Sequence, residues 1–193
     1  MKLRLTLAAL VCLAVTPLIT NAQGDETLLS RFTLDLTGAW GGWHSQATEI
    51  GGANTVVHGG FGGVEFNKTV FVGWAAYKNS DAVVGPNDAR VPYDIRYNGP
   101  VLYYTPRARS IVHPKFGLQV GMGRLELGDL PTDRFVALQP SVGGELNVVR
   151  WFRLGAQAGY RYTLNSDFDP GTYGSPDAFF LEGTLKFGFS WGR

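Results

Sequence analysis

The residues best suited to nucleophilic chemistry lie together at 44–49. His44 and Ser45 are adjacent, and Glu49 follows, so a base, a hydroxyl and a carboxylate are close in the chain. A nucleophilic serine needs its base within hydrogen-bond reach. In an extended segment, however, neighbouring side chains point to opposite faces, which separates His44 from Ser45 unless the chain bends. We interpret 44–49 as a polar loop at a strand end and expect no catalytic residues.

Metal, cofactor and nucleic-acid sites are not indicated either. The chain has one cysteine and three histidines, too few for a cysteine-rich zinc site. Its 17 Lys and Arg nearly balance its 16 Asp and Glu, so there is no basic footprint for nucleic acid. The stretch 165–171 could suggest calcium, but it lacks the spacing of an EF-hand loop and is explained by an Asx-rich turn. We expect no metal, no cofactor and no nucleic-acid partner.

The first segment, 1–22, has the three parts of a secretory signal peptide. Lys2 and Arg4 precede an apolar run over 5–15, and small or polar residues follow Pro17 before the expected cut. The run is short for a membrane-spanning helix, which needs about 20 apolar residues. We therefore predict a cleaved signal peptide at 1–22 and a single mature domain at 23–193.

The mature chain alternates with a period of two, which is typical of strands. In the last segment, Glu182, Thr184 and Lys186 lie on one face, and apolar or aromatic residues fill the other. The pattern is least clear in 55–78, where glycines and apolar residues leave the register open. Eight strands are predicted, at 30–43, 55–66, 69–78, 93–105, 112–127, 134–148, 151–165 and 178–191.

The connections and the aromatic residues indicate a membrane. Short turns such as 67–68 alternate with longer loops, 44–54, 79–92, 128–133 and 166–177. The predicted strands run to about 10–15 residues, longer than the usual 5–6 and long enough for a tilted strand to cross a bilayer. Aromatic residues collect toward both strand ends, as in the two interface girdles of an outer-membrane barrel. The predicted lipid-interface aromatics are Trp40, Trp74, Tyr160 and Tyr162 at the loop end, and Trp151, Phe189 and Trp191 at the turn end.

With these features the chain resembles the small eight-stranded outer-membrane barrels of the OmpA and OmpX type. The resemblance covers nearly all of the mature chain and rests on pattern, not on a signature motif. It implies an all-β, eight-stranded antiparallel up-and-down transmembrane barrel, monomeric, in a bacterial outer membrane. Its partners are then outer-membrane lipid and an extracellular partner reached through loops 44–54, 79–92 and 166–177. One departure is that Trp191 is followed by two further residues, where many members end in an aromatic residue.

The inward-facing charges form the candidate site. An eight-stranded barrel has an interior just wide enough for side chains, and buried charges are costly unless paired. We expect two tiers of ion pairs that plug the lumen, with glycine giving room for the Arg and Lys stems. Glu145 should pair with Arg153, Asp35 should lie level with Lys186, and Arg161 should face Glu182. The predicted network is Asp35, Asp94, Arg96, Lys115, Glu145, Arg153, Arg161, Glu182 and Lys186.

Four functions remain open on the sequence. The leading one is a non-catalytic barrel with a structural or surface-interaction role. The second is a narrow, low-conductance pore gated by the lumen ion pairs. The third is a lipid A-modifying barrel enzyme, an activity that some eight-stranded outer-membrane barrels have. The rival at the level of fold is a soluble lipocalin-like barrel, which has the apolar face inside around a ligand and the charges in water.

Overall fold

The computed structural model describes residues 34–50, 53–79, 93–127, 132–164 and 177–191. The predicted signal peptide, 1–22, lies outside the described residues. The unit Asp35–Arg193 is a closed barrel in which each strand pairs antiparallel with the next and β8 returns to β1. None of the described segments is a helix of the length and apolarity needed to cross a membrane. The strands are β1 Leu36–Ile50, β2 Ala53–Phe66, β3 Val70–Asn79, β4 Tyr93–Tyr104, β5 Val112–Leu127, β6 Asp133–Val149, β7 Phe152–Leu164 and β8 Ala178–Ser190.

The predicted all-β, eight-stranded antiparallel barrel is confirmed. Seven of the eight predicted segments match a strand to within two residues at each end. The first segment is wrong, because β1 runs on to Ile50 and pairs there with Ala53. The loop predicted at 44–54 is therefore mostly strand. Loops 79–92 and 166–177 lie outside the described residues except at their ends.

A register shift at the start of β1 moves its side chains between faces. The pairing with β2 slips by one residue between Leu36 and Gly38, and a bulge of this kind breaks the alternation of faces. Thr37 and Trp40 are both buried as a result, although they differ in parity. Trp40 was predicted at the lipid interface near the loop end. That prediction is wrong, because Trp40 lies inside the lumen, 3% exposed, in the half of β1 near the tight turns.

A tight turn, 67–69, connects β2 and β3. Asn67 and Lys68 both have positive φ, 51° and 57°, and the Thr69 amide donates to the Phe66 carbonyl at 2.9 Å. Two consecutive residues with positive φ are the mark of the type I′ turn, whose twist matches that of a hairpin. Asn adopts this conformation readily because its short polar side chain can hydrogen-bond to nearby backbone, whereas a long side chain such as Lys bears the steric cost of its Cβ without that compensation.

We expect Lys68→Gly to stabilise the barrel by about 0.5 kcal/mol. Glycine removes a left-handed penalty of about 1–2 kcal/mol and adds an entropic cost of about 0.5–1 kcal/mol. The comparison is urea unfolding of the detergent-folded protein. Lys78→Gly is the control, because Lys78 lies inside β3, where glycine should destabilise. A loss of stability in Lys68→Gly would show that the turn is not strained.

The side chains sort by face into an inside-out arrangement. Large apolar residues are exposed on the outer wall, including Phe179 at 77%, Met122 at 72% and Phe189 at 70%. The lumen instead holds charged, amide and aromatic side chains, among them Arg161 and Lys115, which are fully buried. The interior is therefore a packed polar and aromatic core, as the small cross-section of an eight-stranded barrel requires.

Candidate functional site: the lumen

The half of the lumen near the tight turns holds a cluster of buried ion pairs centred on Arg153. One guanidinium nitrogen, Nη1, lies 2.9 Å from Glu65 Oε1 and 3.2 Å from Glu145 Oε1. Lys186 Nζ lies 3.5 Å from the other Glu145 oxygen. All four side chains are nearly inaccessible to solvent. Two carboxylates are thus matched by two cations, which offsets the cost of burying each charge. We call these four residues the basal cluster.

Four strands, β2, β6, β7 and β8, bring the basal cluster together. Arg153 on β7 and Lys186 on β8 are cross-strand partners, and Glu145 is on the neighbouring β6. Glu65 reaches the cluster from β2 across the lumen. Ser190 bridges it, since its hydroxyl donates to Glu65 Oε2 at 2.6 Å and accepts from Arg153 Nη2 at 3.3 Å.

An aromatic ring completes the basal cluster. The Arg153 guanidinium lies 3.9 Å from the centroid of the Trp40 ring, and Lys186 Nζ lies 5.3 Å from a Trp40 ring centroid. Cations are attracted to the negative face of an aromatic ring, more strongly where water is excluded. Trp40 therefore acts as a platform for Arg153 and Lys186, a role that the sequence did not indicate.

His113 lies at the edge of the basal cluster, with its Nε2 3.5 Å from Glu145 Oε1.

The predicted network contained Glu145, Arg153 and Lys186 but not Glu65. Glu65 lies in the segment where the pattern left the register open, and its partners are on β7 and β8. Lys115 is buried as predicted for a lumen residue, with its ammonium 3.9 Å from the centroid of the Tyr103 ring. The ammonium group of Lys115 thus packs on an aromatic ring, whereas the sequence suggested that it would pair with a carboxylate.

Toward the loop end, Glu182 is the acceptor at the centre of a hydrogen-bond cluster. Its carboxylate accepts from Gln157 Nε2 at 2.7 Å, from the Tyr77 hydroxyl at 2.9 Å, from Gln46 Nε2 at 3.3 Å and from the Thr184 hydroxyl at 3.4 Å. All of these side chains are buried. The carboxylate therefore accepts hydrogen bonds from four neutral donors, and hydrogen bonds to a carboxylate are stronger than those between neutral groups.

The predicted facing pair of Arg161 and Glu182 is wrong in register. Glu182 is the cross-strand partner of Gln157, whereas Arg161 lies opposite Ala178. The Gln46 amide stands between them, accepting from Arg161 Nη1 at 3.5 Å and donating to Glu182 at 3.3 Å. Arg161 also donates to the Thr48 hydroxyl at 3.2 Å. The upper tier is thus an amide-linked network in place of a direct ion pair.

Three residues predicted in the lumen lie outside it. Asp35 is exposed at the tight-turn end, where its backbone amide donates to Asn67 Oδ1, so it is not level with Lys186, which pairs with Gly42. Asp94 and Arg96 do pair, with Arg96 Nε 2.9 Å from Asp94 Oδ1, but on the outer wall. Their strand turns Ile95, Tyr97 and Tyr103 inward. Charges at this end of β4 can face outward because they lie beyond the apolar part of the wall.

Five glycines of the lumen make room for aromatic rings, although the sequence suggested room for Arg and Lys stems. A Cβ built on any of these five would collide with a neighbouring ring. The contacts are Gly63 and Gly73 with Phe71 at 2.8 Å, Gly117 with Tyr103 at 3.0 Å, Gly123 with Phe135 at 2.4 Å, and Gly159 with Phe180 at 2.4 Å. Phe61, Phe71 and Tyr103 also pack on one another. This aromatic layer comes from β2, β3 and β4, and it contacts Lys115 from β5 and Lys186 from β8.

We expect Gly123→Ala to destabilise the barrel by about 1–3 kcal/mol, the usual cost of overpacking a tight core. The new methyl group would lie 2.4 Å from the Phe135 ring, which must move. Gly62→Ala is the matched control, because nothing lies within 4 Å of its Cβ position. Urea unfolding measures both, and Phe135→Leu should recover part of the loss in Gly123→Ala. Equal effects of the two alanines would contradict this packing.

The structure places the residues suggested for catalysis on opposite faces. His44 is buried in the lumen, with Nε2 3.1 Å from the Ala76 carbonyl oxygen and its ring stacked on Tyr77. Ser45 and Glu49 lie on the outer face of β1, so the three do not converge. Within the described residues no three His, Cys, Asp or Glu side chains are grouped as metal ligands. The stretch 165–171 lies outside the described residues.

Six of the seven predicted interface aromatics have their side chains on the outer wall. Trp151, Trp74, Tyr162, Trp191 and Phe189 are between 46% and 70% exposed. Tyr160 is partly covered, packing against Tyr162 and Phe179. Trp74 Nε1 also donates to Asn98 Oδ1 at 3.3 Å. Of these seven aromatic residues only Trp40 turns inward, because the bulge at the start of β1 shifts its side chain to the other face of the strand.

Comparison with solved structures places this architecture among the small eight-stranded outer-membrane β-barrels. Neisserial surface protein A aligns with 78% of this chain and 95% of its own, at 16% identity and a TM-score of 0.54. The N-terminal β-barrel domain of Pseudomonas aeruginosa OprF aligns with 80% of this chain and 98% of its own, at 10% identity and a TM-score of 0.58. No protein-family model and no curated protein matches the sequence. At these identities the likeness establishes the shared fold.

Proposed function

We propose that this chain, which has the fold of the small eight-stranded outer-membrane barrels, is a non-catalytic outer-membrane protein. Its role is structural or surface-interacting, and its lumen is closed by the basal cluster, the aromatic layer and the Glu182 network. The observation that carries the proposal is the sorting of side chains, with apolar residues on the wall and paired charges inside. Loops at the end opposite the tight turns then face outward, where a surface partner binds.

The outer wall supports insertion in a membrane. Every second residue of β5 from Val112 to Met122 is apolar and exposed, with values of 40–72% for those five non-proline residues. At about 3.4 Å per residue and a tilt of about 45°, such a run spans a height close to the ~25 Å apolar band of outer-membrane barrels. A soluble lipocalin-like barrel would have the opposite sorting. In water, an apolar surface of this extent would drive aggregation.

The filled lumen favours a structural role over transport. Conduction needs a continuous water path. Inside the barrel, the aromatic layer contacts Lys115 and Lys186, and Lys186 also belongs to the buried ion pairs. The ion-pair-gated pore therefore requires both the rings and the charges to move. The lipid A-modifying alternative lacks support from geometry, because His44 and Ser45 face opposite sides of β1.

The first test is gel mobility of the membrane-extracted protein with and without boiling, combined with membrane fractionation. An inserted barrel stays folded in detergent and shifts on boiling, and the protein should fractionate with the outer membrane. Planar-bilayer recording should then show no conductance steps, either in the native protein or in Arg161→Gln. A soluble periplasmic protein without a mobility shift would overturn the proposal. Steps altered by Arg161→Gln would establish the gated pore in its place.

A further inference from the structure

Four basic side chains form a continuous row on the outer wall near the loop end. Lys78 on β3, Arg96 on β4, Arg124 on β5 and Arg134 on β6 are consecutive cross-strand partners, each directly opposite the next. All four are exposed. At the usual strand spacing of about 4.8 Å, the row is about 14 Å long. We call it the cationic row.

The cationic row is a costly arrangement in the absence of an anion. Like charges directly opposite one another on adjacent strands destabilise a sheet. Two carboxylates, Asp94 and Glu126, are cross-strand partners one step nearer the loop end, and Asp94 binds Arg96. Within the described part of the chain, no carboxylate forms an ion pair with Lys78, Arg124 or Arg134. The row therefore retains excess positive charge on its exposed face.

The surroundings of the cationic row indicate which class of anion it can bind. On the side toward the tight turns, the row borders directly on the apolar wall, with Met122 next below Arg124 and Val136 next below Arg134. A shallow depression of about 440 Å³ opens there, and Arg96, Arg124 and Arg134 line it together with Met122. A ligand in this depression meets cations at its upper side and an apolar wall beneath. That surface fits an amphiphile with an acidic head.

The row also crosses a range of depths. Strands in a closed barrel tilt by about 35–45°, so a row at right angles to them climbs obliquely through the membrane interface. An extended headgroup with acidic groups at more than one depth can contact all four cations, whereas a compact headgroup reaches fewer. Three of the four residues are arginines, whose planar fork binds phosphate oxygens in pairs.

We propose that Lys78, Arg96, Arg124 and Arg134 bind the phosphorylated headgroup of an outer-leaflet glycolipid, whose acyl chains lie on the apolar wall below. The inference rests on the proposed outer-membrane location and adds to it a lipid specificity. Bound glycolipid neutralises the row and covers the apolar wall, so it stabilises the barrel at the same time.

The test measures binding of bisphosphorylated lipid A to the folded protein in zwitterionic detergent micelles. The row variant is Lys78→Gln with Arg124→Gln and Arg134→Gln. The matched control is Arg107→Gln with Arg109→Gln and Arg150→Gln, which removes three exposed charges from the opposite end of the barrel. At about 1 kcal/mol for each basic residue near an anionic surface, the row variant should bind roughly a hundredfold more weakly. The control should bind as the native protein does.

Two further arms identify the source of the anion. Dephosphorylated lipid A should bind the native protein about as weakly as the phosphorylated lipid binds the row variant. Inorganic phosphate, added without lipid, should not raise the unfolding temperature of the native protein, whereas lipid A should raise it. If phosphate raised it as much as lipid A does, the row would be a site for free phosphate and the lipid assignment would be overturned. Equal affinity of native and row-variant proteins for lipid A would overturn the proposal outright.

Failure of this inference is distinguishable from failure of the proposed function. The native protein and both triple variants are first folded into phosphatidylcholine vesicles, and the mobility shift on boiling is recorded. A protein that inserts normally but has no preference for phosphorylated lipid A refutes the cationic row alone. A protein that does not insert refutes the outer-membrane barrel and the cationic row together.

Discussion

Arg153→Gln should destabilise the barrel by about 3–5 kcal/mol, the usual result of removing one partner from a buried ion-pair cluster. The guanidinium binds Glu65 and Glu145 at once and stacks on Trp40. Without it, Glu145 keeps Lys186 and His113, each at 3.5 Å. Glu65 loses its ion pair and keeps only the Ser190 hydroxyl of the contacts described above, at 2.6 Å. The loss therefore comes from the charge left behind more than from the bonds removed.

Urea unfolding of the protein folded in lipid vesicles measures this effect, with the folded fraction read from gel mobility without boiling. Arg150→Gln is the control, since Arg150 is exposed in the adjacent turn, and it should change stability by less than about 0.5 kcal/mol. Adding Glu65→Gln to Arg153→Gln should restore part of the loss, because the second change removes an unpaired buried charge. A further loss in the double variant would show that Glu65 is not held by Arg153.

Replacing Glu182 with leucine should destabilise the barrel by about 3 kcal/mol or more. Leucine is similar in size to glutamate but leaves the buried donors of Tyr77 and Gln157 without their acceptor. Gln46 Nε2 keeps only the more distant Gln139 oxygen, at 3.5 Å. Each buried donor left unsatisfied costs about 1–3 kcal/mol. Glu182→Gln should cost less, because one carbonyl oxygen still accepts.

The control for Glu182→Leu is Glu49→Leu, a change of the same type at an exposed position on the outer face of β1. Both variants are compared by the same unfolding assay. The expected order of stability is native and Glu49→Leu, then Glu182→Gln, then Glu182→Leu. If Glu182→Leu were as stable as Glu49→Leu, the donors around position 182 would have found other acceptors, and Glu182 would not be the centre of the network.

The architecture was predictable because a two-residue period is a local property of the chain. The alternation over 151–165 and 178–191 identified β7 and β8 and put Arg153, Glu182 and Lys186 on the inner face. Glu145 and Arg153, which the sequence suggested as partners, are 3.2 Å apart, although Glu145 lies opposite Gly155 in the sheet. Contacts between strands joined by a short turn follow from turn length and parity. Strands joined by a longer connection do not, as the register of Arg161 and Glu182 on β7 and β8 shows.

The predictions failed where the face of a strand depended on something other than local alternation. The bulge at Leu36 and Gly38 changed the phase of β1 and turned Trp40 inward. In β4 both faces are apolar over much of their length, so parity did not identify the lumen side, and Asp94 and Arg96 were assigned to the wrong face. A bulge has no compositional signal, and two apolar faces are ambiguous until the neighbouring strands are fixed.

The sequence by itself determined the all-β fold, the number of strands and which residues of the most regular strands face inward, since these depend on neighbours in the chain. Only the tertiary structure decided which charges meet across the lumen and along rows of several strands. Glu65 reaches Arg153 across the lumen from a strand 88 residues away, and the cationic row joins four strands at one register. Closure of the barrel sets both, because it fixes the stagger of every strand at once.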